Sequence, residues 1–125
     1  MKRLLLIDDE RGVTDFVQRV AEEQDFEVHA TNGPTSFMES FKNLPPSAIT
    51  LDLAMPEIDG VEILRWLAEE GCRARIAIIS GFDGRVLESS RRLGEAHGLM
   101  IVGTLSKPMR LAELRQALTL LGQGT

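Results

Sequence analysis

Four short stretches of this 125-residue chain hold the residue types that do chemistry. The apolar run Leu4 to Ile7 ends in Asp8-Asp9, and the run Ala48 to Leu53 carries Asp52 near its end. Arg75 to Ile79 leads into Ser80-Gly81, and Ser106-Lys107-Pro108 follows a last apolar stretch. If these ends share one rim, three carboxylates, a hydroxyl and an ammonium converge there. Two like charges about 4 Å apart repel by roughly 4 kcal/mol at an effective dielectric of about 20. Such a cluster takes up a cation or a proton. Hard oxygen ligands that leave room for water suit Mg²⁺. A carboxylate nucleophile, a metal, a small hydroxyl and a lysine are the parts that phosphoryl transfer needs. Taken singly, each piece has a plainer reading. Asp8-Asp9 is also a helix N-terminal charge preference, Ser80 a cap, Asp52 a turn aspartate and Lys107 a surface lysine.

The elements that must position these residues are legible in the hydrophobic pattern. Arg3 to Ile7 is a near-continuous apolar run, as in a strand buried on both faces. Val13, Phe16, Val17, Val20 and Ala21 fall on one helical face. Phe26 to Ala30 reads as a less apolar strand, nearer an edge. Phe37, Met38 and Phe41 mark a second helix opened by Gly33-Pro34, and Asn43 to Ser47 breaks it. Ala48 to Leu53 is a third strand. Val61 to Glu70 is a third helix, closed by Gly71. Arg75 to Ile79 is a fourth strand, followed by a helix that opens at Phe82-Asp83-Gly84 and ends at Gly98. Leu99 to Val102 is the fifth strand. Leu111, Leu114, Leu118 and Leu121 mark the closing helix. This alternation predicts an α/β domain with a mostly parallel sheet and helices on both faces. Sites in such sheets form at the C-terminal strand ends. The predicted domain spans 1–121, with 122–125 a frayed tail.

Composition narrows the function. With 14 basic and 19 acidic residues the net charge is −5, which argues against nucleic acid as a direct partner. Hydrophobic residues make up 43%, enough for a core. The single Cys72 forms no internal disulfide, and no Cys/His cluster suggests zinc. The short run after Met1 lacks the length of a signal peptide, and no stretch has the roughly 20 apolar residues of a membrane span. The expectation is one soluble, acidic, cytoplasmic domain without a membrane partner.

The ordered set IDDE (Ile7 to Glu10), LDLAMPEIDG (Leu51 to Gly60), IISG (Ile78 to Gly81) and LSKP (Leu105 to Pro108) resembles the receiver domain of two-component response regulators. The resemblance covers almost the whole chain. It implies a five-stranded parallel sheet in the order 2-1-3-4-5, of the flavodoxin-like, receiver type; that order comes with the family and not from the pattern. It implies that Asp52 is the phosphoacceptor, with Mg²⁺ as cofactor. Asp9 would bind the metal directly, Asp8 through water, and the Ala54 backbone carbonyl would join Asp52 as a ligand. Ser80 would hydrogen-bond the phosphoryl group, Lys107 would pair with one of its oxygens, and the Lys107-Pro108 bond would be cis. The donor would be a histidine kinase or a histidine phosphotransfer protein. The protein would be no enzyme beyond self-catalysed phosphotransfer and autodephosphorylation, with positions 54 and 82 tuning the lifetime. The readout would pass through the fourth helix, fifth strand and fifth helix, by dimerisation or to a downstream protein or output domain. The stretch RVLESSRRLGEAHGL (Arg85 to Leu99) also resembles receivers joined to cyclic-di-GMP phosphodiesterases.

Two features depart from the family pattern. Thr104 stands where an aromatic is usual, and the chain has no Tyr. The segment from Ser80 to Lys107 is a few residues longer than in short receivers, with the extra length in the fourth helix around Arg91 to His97. Thr104 is the feature that points to a rival reading, a docking or dimerising module that does not use phosphorylation. A flavodoxin-like cofactor binder fares worse, since no Gly/Ser/Thr-rich phosphate loop follows the first strand. His29 and His97 are expected to do no chemistry, Trp66 to serve packing, and Arg91-Arg92 to be a solvated helix face.

Overall fold

The computed structural model describes residues 2–53, 55, 60–81 and 84–123. Strands and helices alternate: β1 (Arg3–Ile7), α1 (Arg11–Glu23), β2 (Glu27–Thr31), α2 (Pro34–Asn43), β3 (Ala48–Asp52), α3 (Gly60–Glu69), β4 (Arg75–Ser80), α4 (Gly84–Ala96), β5 (Met100–Ser106) and α5 (Leu111–Leu121). All pairings are parallel and the sheet order is β2-β1-β3-β4-β5. The order implied by the resemblance is the one observed.

β1, β3 and β4 are mostly apolar because each feeds two cores. Leu5 and Ile7 point to one side and Leu4 and Leu6 to the other. Ile76 and Ile78 alternate with Ala77 and Ile79 in the same way. One core closes under Phe37 of α2, Ile63, Leu64 and Leu67 of α3, and Leu87 of α4. The other closes under Val17, Val20 and Ala21 of α1 and Leu114, Ala117, Leu118 and Leu121 of α5. β2 has one buried residue, Thr31, which suits an edge strand. Trp66 packs edge-on against Phe41 with ring centroids 5.3 Å apart, a packing role as expected.

Two helix stops follow from left-handed glycines. Gly71 (φ +70°) follows α3 and Gly98 (φ +86°) follows α4. Asp25, at φ +66°, turns the chain out of α1 without glycine. Arg91 pairs with Glu95 at 2.8 Å and Arg92 with Glu88 at 3.3 Å, one helical turn apart on an exposed face.

The fifth strand corrects the sequence reading. It runs from Met100 to Ser106, four residues past the expected end at Val102. Gly103 is a poor strand former and interrupts the apolar run, but β5 is held by its neighbour. Ile76 faces Ile101 and Ala77 faces Gly103, so Val102 is an extra residue bulged out of register. The shift buries Leu105 and sets Ser106 opposite Ser80.

Candidate functional site

The register decides which ends meet. Ile7 lies opposite both Thr31 and Leu51, Asp52 opposite Ile79, and Ser80 opposite Ser106. β1, β3, β4 and β5 therefore finish level, and their following residues crowd one rim. Asp8 is 4% exposed, and Asp52 and Ser80 are fully buried. The Lys107 backbone N–H donates to the Ser80 carbonyl oxygen at 3.0 Å, which ties the start of the last loop to β4. The Lys107-Pro108 bond is cis, as the resemblance implies.

The Lys107 ammonium sits among three carboxylates. Its Nζ lies 3.1 Å from Asp52 Oδ2, 3.1 Å from Asp8 Oδ2 and 2.8 Å from Glu10 Oε1. Asp8 Oδ1 accepts from the Glu10 backbone N–H at 2.8 Å and from Lys107 at 3.3 Å. Asp8 Oδ2 is close to the ammonium but badly aimed, so it is a buried oxygen with no hydrogen bond. Burial, chiefly, and the charge on Asp52 raise the Asp8 pKa from 3.8 to about 6, against the Glu10 N–H and Lys107, which lower it. Burial alone would lower the pKa of Lys107; the bonds to Glu10, Asp52 and Asp8 outweigh it and hold the ammonium firmly protonated.

Carboxylate oxygens of Asp8, Asp9, Glu10 and Asp52 lie within 4.8 Å of one another, with Asp9 and Glu10 exposed. Four carboxylates and one ammonium leave an excess of negative charge at an all-oxygen site. Asp8 Oδ2, ion-paired with Lys107 but without a hydrogen bond, adds a further oxygen that a cation could take. This donor set fits a hard divalent cation such as Mg²⁺. Ala54, whose carbonyl the resemblance assigns to the metal, lies outside the described residues, as does Phe82. A cavity of about 460 Å³ opens beside Asp8 and Asp9, against Thr14, Thr31 and Asn32. A larger one, about 570 Å³, lies at the opposite end of the sheet around Pro45, Cys72 and Met100 and touches none of these acids.

Glu10 is the rim residue that sequence reasoning passed over. It ends the IDDE motif and serves as N-cap of α1, yet its side chain makes no cap bond. Its carboxylate turns instead to Lys107, 97 residues away, and no local pattern signals that contact. Thr104 is exposed on β5 as an ordinary surface position.

Comparisons with known proteins follow the same lines. Residues 4–119 match the family described as the response regulator receiver domain. The response regulator receiver protein CpdR of Brucella abortus (strain 2308) is 30% identical over 115 residues, 91% of each chain. The chemotaxis protein CheY of Listeria monocytogenes is 29% identical over 96 residues, 74% of this chain and 80% of that one. The crystal structure of a response regulator from Colwellia psychrerythraea has a TM-score of 0.81 and 33% identity, covering 94% of each chain.

Proposed function

Because the chain belongs to the response regulator receiver family, we propose that its rim is a phosphorylation switch with Asp52 as acceptor. Phosphorylation-based signalling is the family's function. The observation that carries the assignment is Lys107 Nζ 3.1 Å from Asp52 Oδ2 in a pocket where Asp52 is fully buried. An Asp52 carboxylate oxygen attacks the phosphorus of a phosphohistidine on a histidine kinase or phosphotransfer protein. The P–O bond forms as the P–N bond breaks, and the imidazole leaves with the electron pair. The Lys107 ammonium pairs with one phosphoryl oxygen, and the Ser80 hydroxyl donates to another. Asp8, Asp9, Asp52 and the Ala54 carbonyl would hold Mg²⁺, which neutralises phosphoryl charge when bound.

The switch then acts by charge. A phosphoryl group on Asp52 gives Lys107 a stronger partner than its resting carboxylates and draws Ser80 towards the rim. Lys107 directly follows Ser106, the last residue of β5, so the change reaches β5 and its neighbours α4 and α5. That face is where a downstream protein, an output segment or a second copy docks. We take residues 1–121 as the receiver unit and 122–125 as a tail, since α5 ends at Leu121. A phosphohistidine donor and the free thiol of Cys72 suit a reducing cytoplasm. Nothing among the described residues favours a docking module that dispenses with phosphorylation.

The test is exposure to acetyl phosphate with Mg²⁺, followed on a phosphate-affinity gel. Wild type should shift and Asp52→Asn should not. A wild-type protein that takes up no phosphoryl group, or an Asp52→Asn variant that takes up as much, overturns the assignment.

A further inference from the structure

We infer that Glu10 is a positioning residue that holds Lys107 in its resting place and competes with the phosphoryl group for it. This rests on the phosphorylation reading above and adds a regulator to the same site. The shortest of the three ion pairs at Lys107 is to Glu10, at 2.8 Å, against 3.1 Å to Asp8 and Asp52. Asp8 and Asp52 are buried acids held by the strand ends, whereas the Glu10 side chain is 60% exposed. Glu10 is therefore the partner that can let go. Its carboxylate is also not engaged at the helix start: the Glu10 side chain makes no cap bond in α1. At this helix start the Glu10 carbonyl accepts from Val13 and Thr14, and Asp8 Oδ1 accepts from the Glu10 N–H.

When a phosphoryl group arrives, Lys107 must trade a carboxylate for a phosphoryl oxygen. Asp52 brings the phosphoryl group with it, so moving towards that group costs Lys107 little of the Asp52 contact. The Glu10 contact is the one surrendered. Glu10 thus sets how readily the resting site gives way to the phosphorylated one, and through Lys107 it biases the end of β5.

The experiment measures beryllofluoride affinity at saturating Mg²⁺ in wild type, Glu10→Gln, Glu10→Asp, Lys107→Met and the double variant Glu10→Gln/Lys107→Met. Lys107→Met keeps the aliphatic stem and removes only the charged head. Glu10→Gln should tighten beryllofluoride binding about two- to fivefold, the size of an ion pair with one exposed partner. Glu10→Asp, too short to reach Lys107, should tighten it in the same direction. In the Lys107→Met background the Glu10→Gln gain should vanish. A gain that survives there makes Glu10 a general electrostatic brake and overturns the role. Weaker binding in Glu10→Gln makes it a metal ligand and overturns it too. Wild type that binds no beryllofluoride sinks the phosphorylation reading itself, a different result from wild type that binds it and a Glu10→Gln variant that binds equally.

Discussion

Asp8→Asn should make the metal-free protein more stable at neutral pH. Asp8 is 4% exposed, and its pKa rises from 3.8 to about 6 through burial first and the Asp52 charge second. The folded protein therefore binds this proton more tightly than the unfolded chain does. The linkage sign follows: between pH 3.8 and about 6 the unfolded state holds fewer protons at Asp8, so stability falls as pH rises through that window. Above it the charged Asp8 costs about 3 kcal/mol relative to its protonated form. Asparagine is nearly isosteric and keeps an acceptor for the Glu10 N–H. Its amide nitrogen faces the Lys107 ammonium, however, and returns part of the gain. The net gain for Asp8→Asn at pH 7.5 should be about 1–3 kcal/mol, closing towards zero or below by pH 4. Urea denaturation of both proteins in EDTA, at several pH values from 4 to 8, isolates the difference from other titrating groups. With Asp8 among the proposed metal ligands, saturating Mg²⁺ should reverse the ranking at pH 7.5, wild type gaining more by mass action. If Asp8→Asn is no more stable than wild type in EDTA at pH 7.5, or if its advantage does not shrink on acidification, the account of a strained buried carboxylate is refuted.

Other perturbations address the same rim. Mg²⁺ affinity, by titration calorimetry, should fall as pH drops below about 6, since Asp8 must lose its proton to serve the metal. Lys107→Ala should still accept phosphoryl groups from acetyl phosphate but transmit poorly, read as little change in partner binding on phosphorylation. It should also unfold about 1–3 kcal/mol more easily in EDTA, because two buried carboxylates lose their cation. Gly60→Ala should cost about 1–3 kcal/mol by thermal melting, since a Cβ there would lie 2.8 Å from the Leu53 Cα. Leu53 follows Asp52, so the same variant should also slow phosphoryl uptake.

The legibility of this protein differs from element to element. The buried strands β1, β3 and β4 are plain in the sequence, because a strand feeding two cores is apolar on both of its faces along most of its length. α3 and α4 were plain at their ends, because Gly71 and Gly98 take the left-handed backbone that stops a helix. The hydrophobic pattern ends β5 at Val102, because its last four residues owe their strand geometry to pairing with β4 across a bulge there. β2 lies one residue later than the pattern predicts, at an exposed edge where burial leaves little pattern.

For the site, the chain itself determined which groups were available: acids at the ends of two apolar runs, a serine after a third and a lysine before a proline. Their order along the chain also carries the family resemblance. Only the tertiary structure decided that these ends finish level, through the register of four parallel strands. It alone turned Glu10 to Lys107 and left Asp8 Oδ2 buried without a hydrogen bond. The physical reason is distance along the chain. Asp8 and Lys107 are 99 residues apart, and Asp52 and Lys107 are 55 apart. Desolvation and charge coupling across such separations arise only once the sheet has closed.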